Sequence, residues 1–326
     1  MRAVVVTQPG APEVMAMADV PDPAIGRGEV LLRVRATAVN RADIMQRRGL
    51  YPPPPGVSDV LGLEAVGEVV DIAPGTDTTL RIGDRVMCLV GGGAYAELLA
   101  VPACNCMPIP DGMSWTDAAA IPEVFITAYQ GLVRLGGLCA GDVALVHSVA
   151  SGVGTAAAQI CRAIGARCIG TSRSPGRAAA GEPYGAEPLV VGGDGFAPAV
   201  QEMTGAHGAD VILDLVGAKY LHDNVACLAR GGRIVLTGLV GGRRAELDMG
   251  ALLAAQGTIA ASTLRGRSTE EKALIMGEFA HWAMPLFEDG VLSPVIDRVV
   301  AMDDVVAAHA HVEADAVVGK VVMRVD

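Results

Sequence analysis

The first 121 residues alternate short apolar runs with turn-forming residues. Five runs rich in valine, alanine or leucine, set between Gly, Pro or Asp residues, are "RAVVV", "EVLLRVRATAV", "GEVVDIA", "DRVMCLV" and "AYAELLAV". β-Branched residues between turn formers are typical of strands, so this pattern predicts a twisted, largely antiparallel β domain. The next segment, "WTDAAAIPEVFITAYQGLVRLG", places apolar residues at helical spacing, and Pro122 is expected to break or kink that helix.

From Asp142 onward, strand-like apolar runs alternate with helical segments. The predicted strands are "VALVHS", "ARCIGTS", "ADVILDLVG", "GGRIVLTGLV" and "TIAASTL". Helices are predicted between them, among them "GTAAAQICRAIG", "KYLHDNVACLAR" (219–230) and "LDMGALLAAQ". Near-continuous apolar strands separated by helices indicate a parallel sheet that is covered on both faces.

The pattern changes again after Leu264, where a long helix, "EEKALIMGEFAHWAMPLFEDG", precedes a last strand, "GKVVMRVD". We therefore predict an α/β fold in which a doubly wound parallel sheet is inserted into a β-rich domain. The predicted boundaries place the β-rich domain at residues 1–122 and 265–326 and the doubly wound domain at residues 123–264.

Composition narrows the class of protein. The chain has 326 residues, 51% of them hydrophobic, a formal net charge of -11 and a pI near 5.0, which together argue against a nucleic-acid partner. The N-terminal "MRAVVVTQPG" lacks the apolar core of a signal peptide, and the other apolar runs end within about 10 residues, too few to span a bilayer. Seven cysteines without a CxxC pair fit reduced thiols better than disulfides. We therefore expect a cytoplasmic protein with no membrane or nucleic-acid partner.

The segment "VALVHSVASGVGTAAAQ" reads as a strand, a tight turn and a helix. Glycine in such a turn lets the backbone approach a pyrophosphate, and the helix N-terminus supplies amides and partial positive charge. The G-x-G-x-x-G pattern is incomplete, since two of its three glycines are replaced, and "SGVG" would also serve helix–strand packing alone. In its strand–helix–strand context, the turn predicts nucleotide contacts from Ser151, Gly152, Val153 and Gly154.

The end of the second predicted strand indicates which nucleotide binds. At 19 residues past Gly152, where an NAD site would place Asp or Glu, this chain has "TSRSPGR", residues 171–177. Hydroxyls and two guanidiniums suit a 2′-phosphate, which a carboxylate would repel. The alternative is that these are helix-capping and surface residues. We expect NADPH rather than NADH, bound by Thr171, Ser172, Arg173 and Arg177.

A second candidate site is "VNRADIMQRRGLYPPPPG", residues 39–56, followed by "GLEAVGEV". With "GDRVMCLVGGGAYAEL", "AAAIPEVFITAYQGL" and "SVASGVGTAAAQ", these motifs occur in the order found in one family. The chain resembles the quinone oxidoreductase (zeta-crystallin) branch of the medium-chain dehydrogenase/reductase superfamily. The resemblance covers essentially the whole chain. It implies a GroES-like catalytic domain, a Rossmann domain, NADPH and a homodimer that joins Rossmann edge strands, for which "TIAASTL" (258–264) is a candidate.

The resemblance also implies a site without zinc. Zinc-bearing relatives have Cys at the position of Asn40, His at the position of Leu63 and a third ligand near Glu123. Asp43, Glu64 and Glu123 could in principle hold a hard cation, but without imidazole or thiolate we expect no bound metal. Glu64 is instead expected to be a buried, hydrogen-bonded structural carboxylate.

A quinone needs little electrophilic help, because hydride addition yields an aromatised hydroquinone anion. Tyr51 could donate its phenol to a carbonyl, and Asn40 could orient the substrate or the nicotinamide ribose. Asp43 could fix Asn40 or the local turn. Two structural alternatives stay open: the ring of Tyr51 packs on the proline turn, and Asp43 is only a hydrogen-bond acceptor.

Further cofactor contacts follow from the resemblance. Thr127 matches a position near the nicotinamide, and Gly238 and Leu239 in "LTGLVGG" fit a backbone wall along its ribose. The family often has Tyr beside the adenosine phosphate after the third Rossmann strand. This chain has Gly192 there, which puts that contact in doubt.

Other polar residues are expected to be structural. Arg47 and Arg48 are expected on a solvated helix face, and His147 in the core or at a cap rather than on the pyrophosphate. His309 and His311 lie two residues apart, on different helix faces, and form no triad.

The sequence is also compatible with two other functions. The first is an NADPH-dependent enoyl or 2-alkenal reductase, which needs a proton donor, and Tyr51 is the obvious candidate. The second is a non-catalytic NADPH-binding protein, which would turn over no acceptor.

Overall fold

The computed structural model describes residues 1–193 and 195–325. The chain folds as two compact units. The first comprises Met1–Ile126 and Leu264–Asp326, and the second, Thr127–Thr263, is inserted between these two parts. The first junction falls inside a helix.

The strands and helices predicted from the apolar pattern occur in the predicted order, together with further short elements that the pattern did not predict. The strands are β1 (Arg2–Val6), β2 (Met15–Asp19), β3 (Glu29–Ala38), β4 (Glu64–Ile72), β5 (Arg85–Leu89), β6 (Leu98–Pro102), β7 (Cys106–Pro108), β8 (Val143–His147), β9 (Arg167–Ser172), β10 (Ala186–Val190), β11 (Ala209–Asp214), β12 (Leu228–Leu236), β13 (Thr258–Ala261), β14 (Ile296–Ala301) and β15 (Lys320–Arg324). The α-helices are α1 (Arg41–Arg47), α2 (Trp115–Ala119), α3 (Pro122–Tyr129), α4 (Gly152–Ile164), α5 (Pro175–Ala179), α6 (Ala197–Met203), α7 (Leu221–Ala226), α8 (Met249–Ala255), α9 (Thr269–Glu288) and α10 (Val305–Glu313).

The first unit is built on a mainly antiparallel sheet. Its strand order is β14-β15-β3-β4-β5-β7, and β6 also pairs with β3. Among the described residues of this sheet, β14 and β15 form the one parallel pair. Alternate residues of β3 are buried, as period-two strands require when one face packs on a core. This core includes Val30, Leu32, Val34, Val69, Val86 and Met323.

The second unit is a six-stranded, fully parallel sheet in the order β10-β9-β8-β11-β12-β13. Counted from β8, this is the 3-2-1-4-5-6 order of dinucleotide-binding sheets. Strand order reverses between β8 and β11, and ligands of such sheets bind at the carboxyl ends of the strands beside that point. The predicted α/β fold, a doubly wound parallel sheet inserted into a β-rich domain, is confirmed.

Local departures from the sequence prediction have clear causes. Pro122 does divide the predicted helix: α2 ends at Ala119, α3 begins at Pro122, and a π-helical turn follows at Gln130–Leu135. The helix predicted at 219–230 ends at Ala226, because Leu228 pairs with Ala209 and opens β12. Throughout the part of the chain described, every helix is too short or too polar to cross a membrane.

Candidate active site

Asn40 is the N-cap residue of α1, and hydrogen bonds to Asp43 fix its position. The backbone N–H of Asn40 donates to Asp43 Oδ2 at 2.8 Å, an arrangement that satisfies a donor at the helix start. Asp43 also accepts from the N–H of Gly62 at 3.2 Å and from the hydroxyl of Tyr95 at 3.0 Å. Burial raises the pKa of Asp43 to about 6, while the hydrogen bond from Asn40 lowers it. With no exposed surface and three donors, Asp43 is positioned to fix the turn.

A buried chain of hydrogen bonds continues from Tyr95 to α10. Arg47 Nη1 lies 3.2 Å from His309 Nδ1, and Tyr95 Oη lies 3.3 Å from His309 Nε2. Because arginine only donates, Nδ1 is the acceptor, so Nε2 carries the proton and donates to Tyr95. Burial, reinforced by the charge of Arg47, lowers the pKa of His309 to about 3, which keeps the ring neutral.

The expectation that Arg47 and Arg48 lie on a solvated helix face is wrong for Arg47 and holds for Arg48. Arg47 has no exposed surface, donates to the carbonyl of Gly10 at 3.1 Å and pairs with Glu313 at 2.7 Å. The side chain of Arg48 is 50% exposed and pairs with the same carboxylate. Successive helical residues point about 100° apart, so only Arg47 is buried, although both guanidiniums reach Glu313 at the end of α10.

Asn40 is also held through its side chain, by a buried ion pair. Its Nδ2 donates to Glu64 Oε1 at 2.8 Å, and its Oδ1 accepts from Lys320 Nζ at 2.6 Å. Lys320 and Glu64 themselves pair at 2.8 Å, with side chains 3% and 0% exposed. Glu64 Oε2 accepts from the N–H of Glu123 at 2.8 Å. Glu64 is therefore a buried, hydrogen-bonded carboxylate, as its place in the apolar strand suggested.

Tyr51 lies half-buried beside Arg265. The guanidinium carbon of Arg265 is 5.0 Å from the centre of the Tyr51 ring, a cation–π arrangement. Arg265 also donates to the carbonyls of Tyr51 (3.1 Å) and Gly91 (2.7 Å) and to the side chain of Gln46. One buried guanidinium thus fixes the proline-containing loop that carries Tyr51. Burial raises the pKa of the Tyr51 phenol, so it remains a proton-bearing donor at neutral pH.

The carboxyl group of Glu123 has a strongly raised pKa. Burial, followed by the negative charge of Glu64, raises its pKa from 4.5 to about 8, although Lys320 opposes this. Lys272 lies near enough to interact, and burial lowers the pKa of its ammonium. Glu123 therefore folds preferentially in its protonated form.

The pKa of Glu123 predicts a stability profile. A folded pKa raised above the unfolded value contributes stability that is complete below about pH 4.5 and is lost as pH rises through about 8. Glutamine does not titrate, so Glu123→Gln does not lose stability in this way. The free energy of unfolding of the variant, relative to that of the wild type, should therefore rise at each pH step across this window. Urea denaturation at pH 5, 7 and 9 measures the difference. The exposed Glu288→Gln is the control, and a difference that does not vary with pH would contradict the assignment.

In the second unit, the β8–α4 turn has the form of a nucleotide-binding turn. Ser151 precedes α4 and caps it, since its Oγ accepts from the N–H of Gly154 at 3.1 Å. A Cβ at Gly154 would lie 2.5 Å from backbone atoms of Val149 and closer still to Ser148 O. The helix N-terminus therefore sits directly on the strand, in the manner that leaves its amides facing a ligand.

The end of β9 contributes one hydroxyl to the core. His147 Nε2 lies 2.7 Å from Asn224 Oδ1, whose Nδ2 donates to Asp214 at 3.0 Å. Nε2 is therefore the protonated nitrogen, and Nδ1 accepts from Thr171 Oγ1 at 2.8 Å. His147 and Thr171 have no exposed surface, and burial lowers the pKa of His147. The hydroxyl of Thr171 is thus committed to the protein, contrary to the expected phosphate contact, whereas Ser172 keeps 9% of its surface exposed.

The remaining predicted cofactor residues lie in the same unit. Gly238 and Leu239 follow β12, and the N–H of Gly238 donates to Asp214 O at 3.3 Å. Arg173 is exposed and Arg177 half-buried after β9. The turns after β8, β9 and β12 meet at the carboxyl edge of the sheet, because parallel strands end on the same side. Three further residues are Val153, inside the first turn of α4, Thr127, half-buried in α3, and Gly192, where an added Cβ would meet nothing within 4 Å.

Within the described residues, no three His, Cys, Asp or Glu side chains are placed to hold a metal ion. The carboxylates of Asp43 and Glu64 accept hydrogen bonds from Asn40, Tyr95 and Lys320 instead.

Four residues of the first unit's networks were not identified from sequence: Tyr95, Arg265, His309 as a hydrogen-bond partner, and Lys320. Lys320 did carry a signal, because a lysine opens the apolar run "KVVM" in a chain whose other lysines are Lys219 and Lys272. Tyr95 lies in the quoted motif "GDRVMCLVGGGAYAEL", whereas Arg265 and His309 lie outside the quoted motifs, and in none of the three cases did the local sequence indicate the partner.

Comparison with known families agrees with this architecture. The alcohol dehydrogenase GroES-like domain matches residues 26–111, and the zinc-binding dehydrogenase family matches residues 152–278, together more than half of the chain. A mycobacterial protein, Rv1454c complexed with NADPH, superposes with a TM-score of 0.88 at 30% identity, and the match covers 100% of both chains.

Two relatives extend the comparison. A quinone oxidoreductase of Pseudomonas aeruginosa is 31% identical over 317 residues, which are 96% of this chain and 96% of that protein. The polyketide synthase GfsB of Streptomyces halstedii is 31% identical over 298 residues, 91% of this chain but 5% of that much longer protein. The chain therefore belongs to the medium-chain dehydrogenase/reductase superfamily of oxidoreductases, in its quinone oxidoreductase branch.

Proposed function

We propose that this protein reduces quinones with NADPH, by hydride transfer without a metal. The observation that carries the proposal is the composition of the first unit's site. Asn40 lies between Lys320 and Glu64, so a neutral amide stands at the position where zinc-bearing relatives have a Cys ligand. The phenol of Tyr51, which lies against Arg265, is a second neutral donor. The relative that matches over 96% of its length is a quinone oxidoreductase.

The chain's own residues position and stabilise the acceptor. When bound, NADPH supplies the hydride. The phenol of Tyr51, kept protonated by its raised pKa, donates a hydrogen bond to the quinone oxygen on which negative charge develops. The proton that completes the hydroquinone comes from solvent, through Tyr51 or directly.

The second unit supplies the cofactor contacts in this proposal. The backbone of the β8–α4 turn, with Ser151, Gly152, Val153 and Gly154, accommodates the pyrophosphate at the start of α4. Ser172 and the two arginines that follow β9 bind the 2′-phosphate, Thr171 contributing only its backbone. Thr127, Gly238 and Leu239 line the nicotinamide riboside.

A stopped-flow panel tests the proposal. Loss of nicotinamide absorbance is expected on mixing the NADPH-loaded protein with benzoquinone or naphthoquinone. Tyr51→Phe should lower kcat/KM about 100-fold, the loss of one donor to a developing oxyanion. Tyr184→Phe in the other unit is the matched control. Turnover of no acceptor at all would leave a non-catalytic NADPH-binding protein.

Cofactor preference gives a separate prediction. Arg173→Ser with Arg177→Ser should weaken NADPH binding about 10- to 100-fold, because charge-assisted hydrogen bonds to phosphate are lost, while NADH binding changes little. Arg230→Ser is the control, since Arg230 is exposed near the amino end of β12. Calorimetric titration with both nucleotides measures the change. Equal affinity of the wild type for NADH and NADPH would contradict the assignment.

An enoyl thioester reductase is the second candidate, and the match to polyketide synthase GfsB favours it. The stopped-flow panel is therefore extended to 2-alkenals, enones and enoyl thioesters. Turnover restricted to thioesters would replace the quinone assignment, with Tyr51 as the proton donor to the carbon α to the carbonyl.

We also propose a homodimer joined through β13. This strand ends the second unit's sheet, and apolar side chains are exposed in and before the helix that precedes it: Met249 is 75% exposed, Leu253 79% and Val240 66%. Unpaired strand edges and apolar patches favour association. Light scattering should give twice the chain mass of 33.3 kDa, and Leu253→Glu should shift the protein toward the monomer. A monomeric wild type would end the proposal.

A further inference from the structure

The ammonium of Lys320 is fully used inside the first unit. Its three hydrogens go to Val39 O at 3.1 Å, Asn40 Oδ1 at 2.6 Å and Glu64 Oε1 at 2.8 Å. An ammonium group has three donors and no acceptor, so none is left for a ligand. Lys320 therefore acts on its surroundings through Asn40 and Glu64.

The position of Asn40 between these two charges fixes the orientation of its amide. The amide oxygen faces the ammonium of Lys320, and the amide nitrogen faces the carboxylate of Glu64. A flipped amide would place its oxygen against the carboxylate and its NH₂ against the ammonium, replacing two charge-assisted hydrogen bonds by two repulsions. The interior has a low dielectric constant, which makes both effects large.

Orientation decides which polar atom of Asn40 is available. One N–H donates to Glu64, while the other reaches Ala38 O only at 3.3 Å, the weakest of the side chain's bonds. The oxygen already accepts a short bond from the ammonium of Lys320. The N–H that makes this long bond to Ala38 O can be redirected with the least loss, so Asn40 can offer an N–H donor to a ligand.

We propose that Lys320 is a positioning residue, whose charge locks Asn40 so that it offers an N–H to an acceptor oxygen of the bound cofactor or substrate. This inference rests on the proposed function. The acceptor is a ribose hydroxyl oxygen of NADPH or a carbonyl oxygen of the quinone, and the experiment below distinguishes the two.

The test is a double-mutant cycle in a Glu64→Gln background. The amide of the new glutamine can keep its oxygen toward Asn40 and Lys320. In this background Lys320→Met does not leave a buried carboxylate without its counter-charge, which would itself destabilise the protein. Lys320→Met is then introduced with Asn40 present and with Asn40→Ala. Melting temperature, NADPH affinity by calorimetry, and kcat and KM for naphthoquinone are measured for each variant.

Lys320→Met is expected to lower NADPH affinity or kcat/KM at least 10-fold with Asn40 present and less than 2-fold with Asn40→Ala. A loss confined to NADPH affinity assigns the oxygen to the cofactor, and one confined to kcat/KM assigns it to the quinone. No loss in either quantity, or equal losses in both backgrounds, would overturn the inference, because a purely structural lysine lowers the melting temperature without requiring Asn40.

The test still decides if the double variant does not fold or if the wild type reduces no quinone. If the Glu64→Gln/Lys320→Met protein does not fold, Lys320→Gln replaces Lys320→Met in the same cycle, because its amide removes the charge but leaves polar atoms for the buried partners. The same thresholds then support or overturn the inference. If the wild type reduces no quinone, the proposed function fails, but NADPH affinity still tests Lys320.

Discussion

Gly154→Ala is expected to lower the free energy of unfolding by about 3 kcal/mol, the upper range for forcing extra volume into a packed site. The added Cβ would lie 2.5 Å from Val149 Cα and O and nearer still to Ser148 O. These are backbone atoms, which cannot rotate away as a side chain can. The α4 N-terminus must then move off β8, and NADPH affinity should fall with stability. Urea denaturation and calorimetric titration measure both effects.

Gly176→Ala is the matched control for this substitution. Gly176 also lies in the first turn of a helix that follows a strand of the same sheet, but a Cβ there would meet nothing within 4 Å. Alanine is the better helix former by up to about 1 kcal/mol, so this variant should be neutral or slightly more stable. Equal destabilisation by both substitutions would show that the close approach at Gly154 is not the cause.

Arg47→Met is expected to cost about 3 kcal/mol of unfolding free energy, as the removal of one partner from a buried charge network does. The carbonyl of Gly10 and Nδ1 of His309 would each lose a donor, and Glu313 would lose its buried counter-charge. Methionine keeps much of the apolar volume, so the loss reports mainly on the polar contacts. Urea denaturation at pH 7 measures the cost.

Arg48→Met provides a comparison with the neighbouring residue. Arg48 pairs with the same carboxylate of Glu313, but its side chain is 50% exposed. Solvent-exposed ion pairs contribute about 0–1 kcal/mol, so this variant should remain close to the wild type. A loss as large as that of Arg47→Met would mean that the shared Glu313 pairing, rather than burial, decides the effect.

The candidate site was predictable only in part. The "VNRAD" segment marked Asn40 and Asp43, and the strand "GLEAVGEV" correctly indicated a buried Glu64. Their partners were not predictable, since Lys320 contacts Asn40 across 280 residues of sequence. A hydroxyl can also be lost to the core: Thr171 fits a phosphate site by position, yet it donates to His147 on the adjacent strand.

The sequence by itself determined the order of the main strands and helices, the inserted parallel sheet and the glycine turn that opens α4. It could do so because these features depend on apolar periodicity and on backbone freedom, which are local properties of a few neighbouring residues. Even there, a competing long-range pairing moved one boundary, where β12 begins at Leu228 inside a segment of helical pattern.

Only the tertiary structure decided which charges are buried and what they hold. Arg47 and Arg48 are adjacent and chemically identical, but packing against α10 buries one and leaves the other half exposed. Likewise, Lys320 becomes a fixed internal cation because β15 pairs with β3, which leads directly to Asn40. The charge of a residue is written in the sequence, whereas its solvation and its partner depend on segments that meet only in the folded chain.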